Sequence, residues 1–297
     1  MSNIRELIQA STLDKVDARV LLAHLIQKYL NWPKSSLISR DTEPLPQELI
    51  KEWYDLEKKR SEGHPVAYLT GKKEFFNIEL NVAPGVLIPR PETELLVELA
   101  LTFIQEKKLT APRILDLGTG SGAIGLALAK NCPHAQVSCV DLSPEALTIA
   151  KTNAESLGLV GVHFYEGSWF EALSSSVQVA QAAKAIQAIQ AFDLILSNPP
   201  YIPKGDHHLQ EGDLRFEPSS ALTDGDDGLT AYRRIFETAH KYLHPEGLIL
   251  VEHGHDQSAT ICELVMQLNY SSIKTHQDLA GILRVVTARH PSFDKLG

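Results

Sequence analysis

The spacing of hydrophobic residues at the start of the chain follows the period of a helix. Apolar positions recur three and four residues apart after Asp14, whose side chain suits the N-cap of a helix. A second helical pattern extends from about Pro46 to Glu62. These patterns predict a small helical N-terminal domain over residues 1–72.

The hydrophobic pattern changes after residue 72. Apolar and polar residues alternate over part of the stretch EFFNIELNVAPGVLIP (Glu74–Pro89), which also contains turn residues and is therefore typical of paired strands. We expect a β-hairpin linker over residues 73–91 between two domains. After PRPETE, a run of leucine and valine predicts a helix from about Glu92 to Glu106.

From Arg113 onward, short apolar runs alternate with helical patterns. The runs RILDLG, AQVSCVD, VHFYEGS, FDLILSN and GLILVEHG predict strands, and a helical pattern follows most of them. This alternation is typical of a mostly parallel, doubly wound α/β sheet. Two further strands surround Ala280-Gly281, and their short connection requires one of them to run antiparallel. We assign residues 92–297 to this sheet domain.

Two stretches depart from the alternation of strands and helices. The segment Glu171–Ala191 is rich in Ala and Gln, and it predicts a weak amphipathic helix in a surface excursion without function. Its apolar positions are Val179, Ala183, Ile186 and Ile189. The segment Pro203–Asp227 predicts a long polar loop, and loops of that length inside a compact domain usually carry function.

Composition and charge narrow the classes of partner. The chain has 297 residues, of which 43% are hydrophobic and 22% charged, and its formal net charge is −9. A negative charge argues against nucleic acid as the main partner, because affinity for phosphate backbones comes from clustered Lys and Arg. No apolar run reaches the roughly 20 residues of a membrane span, so we expect no membrane association.

Cysteine and histidine positions give no disulfide or metal signature. The three cysteines lie far apart without a CxxC pair, which favours free thiols and predicts a cytoplasmic protein. The start of the chain carries charges where a signal peptide needs an apolar core. The closest histidines, His207-His208 and His253 with His255, lack the HExxH spacing of a helical metal site. We therefore expect no metal site.

The turn DLGTGSGAIGLAL joins the first strand of the sheet to its helix. Gly118, Gly120 and Gly122 allow the backbone to approach a ligand closely, next to the free N–H groups of a helix start. The second strand ends in Asp141, 23 residues beyond Gly118, where a carboxylate can accept hydrogen bonds from both ribose hydroxyls. An adenosyl sulfonium cofactor and NAD both meet these requirements, so both stay open at this point.

The fourth strand ends in SNPPYI (Ser197–Ile202), at the edge where doubly wound sheets bind ligands. This stretch resembles the motif of S-adenosylmethionine-dependent methyltransferases that act on planar nitrogens. An amide nitrogen is a poor nucleophile because its lone pair is delocalised. The side-chain oxygen of Asn198 and the backbone carbonyl of Pro199 could accept hydrogen bonds from both N–H groups of an amide. Tyr201 offers a flat surface for the planar amide. The prolines fix the Pro199 carbonyl, since proline restricts its own φ and the preceding residue.

Several further motifs extend the resemblance over nearly the whole chain. They are PVAYLTGKKEFFNIEL, VLIPRPETELLVE, DLGTGSGAIGLALA, SNPPYIP, FEPSSALTDGDDGL, EHG and DLAGILRVV. Together they resemble the protein-(glutamine-N5) methyltransferases of peptide chain release factors, the HemK/PrmC family, and the combination of IPRPETE with NPPY is specific to it. The Ala/Gln-rich segment is longer than this family usually carries.

The resemblance implies a fold and a reaction. The fold is a Rossmann-like, doubly wound, seven-stranded methyltransferase sheet with an antiparallel last strand, preceded by a helical domain that helps to hold the release factor. The reaction is methylation, by S-adenosylmethionine, of the glutamine in the Gly-Gly-Gln motif of class I peptide chain release factors.

The resemblance also implies roles for residues at matching positions. Asp141 holds the ribose, and Trp169 of GSWF lies against the adenine. The glycine-rich turn binds the methionine part of the cofactor through Gly118, Thr119, Gly120, Ser121 and Gly122. The target glutamine is bound by Asn198, Pro199, Pro200 and Tyr201. Asn198 also faces the cofactor, and Asn198, Pro199 and Tyr201 form the catalytic set. Arg90 and Glu92 brace the catalytic loop, with a purely structural ion pair as the alternative.

Three alternatives are weighed against this assignment. A DNA or RNA amino-methyltransferase shares NPPY and the glycine-rich turn, but it normally brings a basic surface. The net charge of −9 and an acidic loop speak against it, so we expect no nucleic-acid partner. The acidic residues are Glu211, Asp213, Asp224, Asp226 and Asp227. A nicotinamide oxidoreductase is disfavoured because nothing in this sequence supplies an acid or base for hydride transfer. The intact Asn198 and Tyr201 argue against a catalytically dead cofactor-binding module.

Overall fold

The computed structural model describes residues 2–175 and 191–290. Residue contacts divide the chain into two compact units. The first unit consists of Met1–Lys72 and Gln210–Phe216, and the second consists of Lys73–Leu209 and Glu217–Gly297. The predicted domain boundaries and linker stay a prediction. Within the described ranges, no helix combines the length and the apolar character that crossing a bilayer requires.

The first unit is built from five helices in its described part: α1 (Ile4–Ala10), α2 (Lys15–Leu30), α3 (Ser36–Ser39), α4 (Gln47–Ser61) and α5 (Val66–Thr70). The Asp14 carboxylate accepts a hydrogen bond from the backbone N–H of Val16 at 2.7 Å, which confirms the predicted N-cap of α2. The buried core of this unit includes Leu21, Leu22, Leu25, Ile26, Leu49 and Trp53.

The segment Gln210–Phe216 packs with these helices although it lies far along the chain. The Arg60 guanidinium contacts the Asp213 carboxylate at 3.0 Å, and the Arg215 guanidinium donates to the Glu62 carbonyl at 2.9 Å. The Phe216 ring lies 4.4 Å from the His64 ring between centroids. The first unit is therefore assembled from two separate stretches of chain.

A two-stranded hairpin leads into the second unit. Strands β1 (Lys72–Phe75) and β2 (Ile78–Asn81) are joined at Phe76-Asn77, which have φ values of 43° and 61°. The expectation that the hairpin continues to Pro89 is wrong, because β2 ends at Asn81 and residues 82–89 form no strand. Proline cannot donate to a strand ladder, and the apolar residues of this stretch are buried in irregular backbone instead. They are Val82, Val86 and Ile88.

The seven-stranded sheet of the second unit confirms the predicted fold class. Its strands are β3 (Arg113–Leu117), β4 (Gln136–Asp141), β5 (Val162–Glu166), β6 (Phe192–Ser197), β7 (Leu243–Glu252), β8 (Ser271–Gln277) and β9 (Leu283–Arg289). The spatial order is β5-β4-β3-β6-β7-β9-β8. Neighbours from β5 to β7 are parallel, and β9 is antiparallel to both β7 and β8. The carboxyl ends of β3, β4, β6 and β7 therefore share one edge.

Helices cover both faces of this sheet. They are α6 (Glu94–Glu106), α7 (Ala123–Asn131), α8 (Pro144–Ser156), α9 (Glu171–Ser175), α10 (Ser219–Leu222), α11 (Thr230–Ala239) and α12 (Ser258–Gln267). Along β6, Leu194 and Leu196 pack in the cluster that contains α6 and α7, whereas Ile195 packs in the cluster that contains α11 and α12. Successive strand residues point to opposite faces, so both faces of the sheet are buried, as the alternating pattern predicted.

The predictions for the two stretches outside the alternating pattern compare differently with the structure. The helix predicted around Val179, Ala183, Ile186 and Ile189 lies outside the described residues. The stretch Pro203–Asp227 is not a featureless loop, because it contains two 3₁₀ turns and α10. The turns are His207–Gln210 and Leu214–Phe216.

Candidate active site

The glycine-rich turn is folded back onto the neighbouring strand. The backbone N–H groups of Gly118 and Thr119 both donate to the Val140 carbonyl at 2.9 Å. Gly122 precedes α7 with a φ of 87°, and a Cβ there would lie 2.7 Å from Leu126 Cδ1. The backbone angle favours glycine at this position, and any larger residue would also have to displace the Leu126 side chain.

Asp116 lies beneath this turn, and the sequence analysis missed it. Its Oδ2 accepts hydrogen bonds from the Thr119 hydroxyl at 2.6 Å and the Gly125 backbone N–H at 3.0 Å. Burial raises the pKa of Asp116 to about 6, although both hydrogen bonds oppose that shift. The Thr119 hydroxyl is therefore committed to shaping the turn. An acidic residue inside the apolar strand RILDLG was the available signal.

Asp141 at the end of β4 contacts the same turn. Its Oδ2 accepts from the Gly120 backbone N–H at 2.8 Å, and its Oδ1 accepts from the Ser143 backbone N–H at 2.9 Å. Burial raises the pKa of Asp141, against the effect of these N–H donors. The carboxylate thus links the ends of β3 and β4 at the edge of the sheet.

Asn153 on α8 braces the turn from behind, and no sequence motif pointed to it. Its Nδ2 donates to the carbonyls of Ser121 at 2.9 Å and Asn81 at 3.0 Å. Its Oδ1 accepts from the backbone N–H and the side-chain amide of Asn81 at 2.7 and 2.8 Å. Asn153 is fully buried, and the available signal in the sequence was an asparagine at a position of the apolar face of α8.

The SNPPYI segment leaves β6 at the same edge. The Ser197 hydroxyl donates to the Leu117 carbonyl at 2.7 Å, which ties the end of β6 to β3. The Asn198 amide Nδ2 donates to the hydroxyl of Thr93 at 3.2 Å. Thr93 is buried and ends the 3₁₀ turn of the PRPETE segment. Asn198 is therefore held by a residue that the sequence analysis did not select.

The far end of SNPPYI is held by contacts to the Tyr201 carbonyl. Gln257 Nε2 donates to this oxygen at 3.0 Å and to the Gly228 carbonyl at 3.3 Å. Gly228 has a φ of 78°, and a Cβ there would lie 2.4 Å from the same oxygen of Tyr201. The backbone path after NPPY thus depends on Gly228 and Gln257, to which the sequence analysis assigned no role.

Arg90 braces a residue within the stretch Pro203–Asp227. Its guanidinium forms an ion pair with Glu217, whose side chain is fully buried. The other carboxylate oxygen of Glu217 accepts from the Ile88 backbone N–H at 2.9 Å. Glu92, which the sequence analysis grouped with Arg90, is exposed. The bracing partner of Arg90 is thus Glu217, which the analysis missed.

A cavity of about 420 Å³ lies at this edge of the sheet. Six of the predicted site residues line it: Gly118, Gly120, Asp141, Trp169, Asn198 and Pro200. The other five, Thr119, Ser121, Gly122, Pro199 and Tyr201, are not part of its wall. Trp169 has a φ of 46°, and its Cζ3 lies 3.9 Å from the Cβ position of Gly118. The wall also contains residues to which the sequence analysis assigned no binding role, among them Leu87, Pro218, Asp224 and Arg234.

Tyr201 is half-buried beside the cavity rather than in its wall. It packs against the apolar cluster that contains α11 and α12. Burial, with a smaller contribution from the charge of Glu252, raises the pKa of Tyr201 well above its ordinary value. The phenol is therefore neutral near pH 7 and cannot act as a base.

Asp206, His207 and His208 have potential metal-ligand atoms within 4.8 Å of one another. They are consecutive residues of an exposed turn. The backbone N–H of His208 donates to the Asp206 carboxylate at 2.9 Å, and its Nδ1 lies 2.7 Å from the same oxygen. These contacts stabilise the turn.

Two family models match the chain. One, described as a methyltransferase domain, matches residues 110–285, and the other, described as a PrmC N-terminal domain, matches residues 3–71. Together they cover the helical region and most of the sheet.

Full-length relatives extend this similarity. The release factor glutamine methyltransferase of Burkholderia pseudomallei is 43% identical over 291 residues, with 96% of this chain and 95% of the relative covered. That of Bordetella pertussis is 42% identical over 285 residues, with 96% and 98% covered. Among solved structures, a release factor-specific protein-(glutamine-N5) methyltransferase from Alicyclobacillus acidocaldarius is 26% identical. It matches 71% of this chain and 99% of its own length, with a TM-score of 0.41.

Proposed function

The chain belongs to the release factor glutamine methyltransferases, and on that premise we propose its substrate, cofactor and site residues. The proposed reaction transfers the methyl group of S-adenosylmethionine to the N5 nitrogen of the glutamine in the Gly-Gly-Gln motif of class I peptide chain release factors. One observation supports it above the others: Asn198 and Pro200 line the same cavity as the glycine-rich turn and Asp141. The residues proposed to bind the cofactor and the target thus line one cavity.

The residues around the cavity fit an adenosyl cofactor. A volume of about 420 Å³ lies within the range of small-molecule pockets. The Asp141 carboxylate suits ribose hydroxyls, and the Trp169 indole beside Gly118 suits a flat base. Gly118 and Gly120 expose backbone to the cavity, whereas Thr119, Ser121 and Gly122 support the turn that carries them. S-adenosylmethionine supplies an electrophilic methyl group when it is bound there.

The target amide is activated by alignment rather than by a base. Rotation about an amide bond costs roughly 18–20 kcal/mol, because the nitrogen lone pair is delocalised. The Asn198 Oδ1 and the Pro199 carbonyl accept hydrogen bonds from the two N–H groups of the target amide. They thereby turn the nitrogen lone pair towards the methyl group. Tyr201 offers a flat neutral surface. Methyl transfer would form the new N–C bond as the S–C bond of the cofactor breaks, with S-adenosylhomocysteine as the leaving group, and the cationic nitrogen would release a proton to solvent. Such alignment can contribute about 7–11 kcal/mol.

The organisation of the chain suggests a division of labour. We propose that residues 1–72 help to recognise the release factor, that residues 73–91 link the domains, and that residues 92–297 carry out methyl transfer. The three cysteines, Cys132, Cys139 and Cys262, are free thiols. They support the cytoplasm as the proposed location.

A methyl-transfer assay tests the proposed function. Labelled S-adenosylmethionine is offered with a release factor, with the same factor after its Gly-Gly-Gln glutamine is changed to alanine, and with bulk DNA and RNA. Peptide mass identifies the modified residue. We expect label on the intact factor alone. Label on nucleic acid would show that the substrate is assigned wrongly and would favour an amino-methyltransferase of bases. Equal label on both factors would show that the modified residue is not the Gly-Gly-Gln glutamine.

A further inference from the structure

A second buried carboxylate lies beside the SNPPYI segment. Glu252 is the last residue of β7 and is only 2% exposed. Because Ser197 of β6 pairs with Val251 of β7, the next residues along the two parallel strands, Asn198 and Glu252, stand side by side. The three residues before Glu252 on β7 are apolar and fully buried. The position of Glu252 in the sheet therefore places its carboxylate in the interior.

The carboxylate of Glu252 shares its surroundings with Asn198. Hydrogen bonds from the Thr93 hydroxyl and from Asn198 favour its charged form. The Asn198 Nδ2 lies 3.2 Å from the same Thr93 hydroxyl oxygen. Within the described part of the chain, the Glu252 Oε2 is buried and has no hydrogen-bond partner. Thr93, Asn198 and Glu252 therefore form one contiguous polar cluster.

Other ionisable groups also face this carboxylate. The charge of Arg284 on β9 favours its ionised form, whereas Glu92 in the 3₁₀ turn opposes it. Tyr201 and Tyr232 interact with its charge, and burial raises the pKa of both phenols well above the ordinary value. The neighbouring His253 contacts the Gly254 carbonyl through Nδ1, and burial lowers its pKa. Burial raises the pKa of Glu252 itself to about 7.

The orientation of the Asn198 amide depends on these neighbours. An asparagine amide can turn by 180°, which exchanges its acceptor oxygen and its donor nitrogen. A carboxylate only accepts hydrogen bonds. Beside an ionised Glu252, the amide must present Nδ2 to the cluster, as observed, and Oδ1 is left to accept bonds in the cavity. The flipped amide would place its oxygen against the carboxylate and a donor in front of the target nitrogen.

We propose that Glu252 and Thr93 are positioning residues that hold the Asn198 amide with its oxygen turned towards the target glutamine. This inference rests on the proposed function, since it concerns the same reaction. Stability does not explain why a carboxylate is buried there, because a buried charge with an unpartnered oxygen is unfavourable for folding. Positioning of Asn198 does explain it.

Matched substitutions test the role of the cluster. Glu252→Gln and Thr93→Val are compared with Thr93→Ser, which keeps the hydroxyl. Two substitutions serve as controls. Glu246→Gln changes another glutamate of β7, and Thr287→Val changes a buried threonine that lies on β9. We expect kcat to fall about 10- to 100-fold in Glu252→Gln and Thr93→Val, as when outer partners that orient metal ligands are removed. Thr93→Ser should recover most of the wild-type kcat, and both controls should match the wild type.

Two further measurements separate positioning from folding. S-adenosylmethionine binding, measured by calorimetry, should stay within about twofold of wild type, because the cluster acts on the target amide. The melting temperature of Glu252→Gln should be unchanged or higher, because the substitution removes a buried charge. A variant that loses kcat while it loses stability and cofactor binding would overturn the inference.

The pH dependence of kcat supplies a third measurement. When the pH is below the Glu252 pKa of about 7, the protonated carboxyl group can donate a hydrogen bond to the oxygen of a flipped Asn198 amide. The preferred orientation of the Asn198 amide is then lost. We expect wild-type kcat to fall as the pH drops from 8 to 6, and the fall to be much smaller in Glu252→Gln. The same pH dependence in both proteins would overturn the inference. If the wild type does not methylate a release factor at all, the proposed function fails instead.

Discussion

The glycine-rich turn and the SNPPYI segment lie at the same edge of the sheet but are held in different ways. The turn is held by nearby sequence: Thr119 contacts Asp116 three residues away, and Gly120 contacts Asp141 at a separation of 21. SNPPYI is held from afar, because Asn198 contacts Thr93 at a separation of 105. The side-chain partners of the turn thus lie within 32 positions of it along the chain, whereas SNPPYI depends on more distant segments.

The two regions are also expected to respond differently to substitution. Changes at the glycine-rich turn should weaken cofactor binding, and changes in SNPPYI should lower kcat. Replacing Asn198 with alanine removes one acceptor for the target amide. We expect kcat to fall at least about 100-fold, the scale of one positioned transition-state contact, with cofactor affinity within a few-fold. Steady-state kinetics and calorimetry measure the two. Asn131→Ala on the exposed end of α7 is the control, and near-normal turnover of Asn198→Ala would refute the acceptor role.

Replacing Asp141 with alanine tests the other region. Loss of charged hydrogen bonds to the ribose, each worth about 1.5–3 kcal/mol, should raise the cofactor dissociation constant at least about tenfold, with a smaller effect on kcat at saturation. Asp193→Ala is the matched control, since that carboxylate also accepts a backbone N–H, from Arg113 at 2.8 Å. An unchanged dissociation constant would assign ribose binding to another residue.

The backbone support of SNPPYI is tested at Gly228. A methyl group there would lie 2.4 Å from the Tyr201 carbonyl oxygen, so Gly228→Ala should displace the segment. We expect a several-fold loss of kcat and a loss of stability beyond about 1 kcal/mol. Gly225 has the same φ of 78° with nothing within 4 Å, so Gly225→Ala controls for backbone strain alone. Equal effects of the two substitutions would argue against the contact.

The smallest effect is expected outside both regions. Deleting Ser174–Gln190 should leave methyl transfer nearly unchanged, because the residues assigned to cofactor and target all lie elsewhere in the chain. The methyl-transfer assay and thermal unfolding provide the readouts. A large loss of activity would show that the Ala/Gln-rich segment is functional rather than a surface excursion.

The same comparison explains what sequence reasoning could and could not find. The glycine-rich turn and Asp141 were recognisable because a short stretch of chain carries both the ligand-facing groups and much of their support. Glu217, Gln257 and Thr93 were missed, because each acts through a partner that is near only after folding. The end of the hairpin at Asn81 was missed because burial in irregular backbone produces the same apolar spacing as a strand.

The packing of Gln210–Phe216 with the first helices has a consequence for modularity. The helical unit is not a contiguous module, since its Asp213, Arg215 and Phe216 are encoded within the stretch that follows SNPPYI. A cut after Lys72 would release helices without these partners, and a gene fusion that exchanged only the first 72 residues would combine a foreign helical unit with the original Gln210–Phe216. Recombination between relatives should therefore preserve the unit only when both stretches are inherited together.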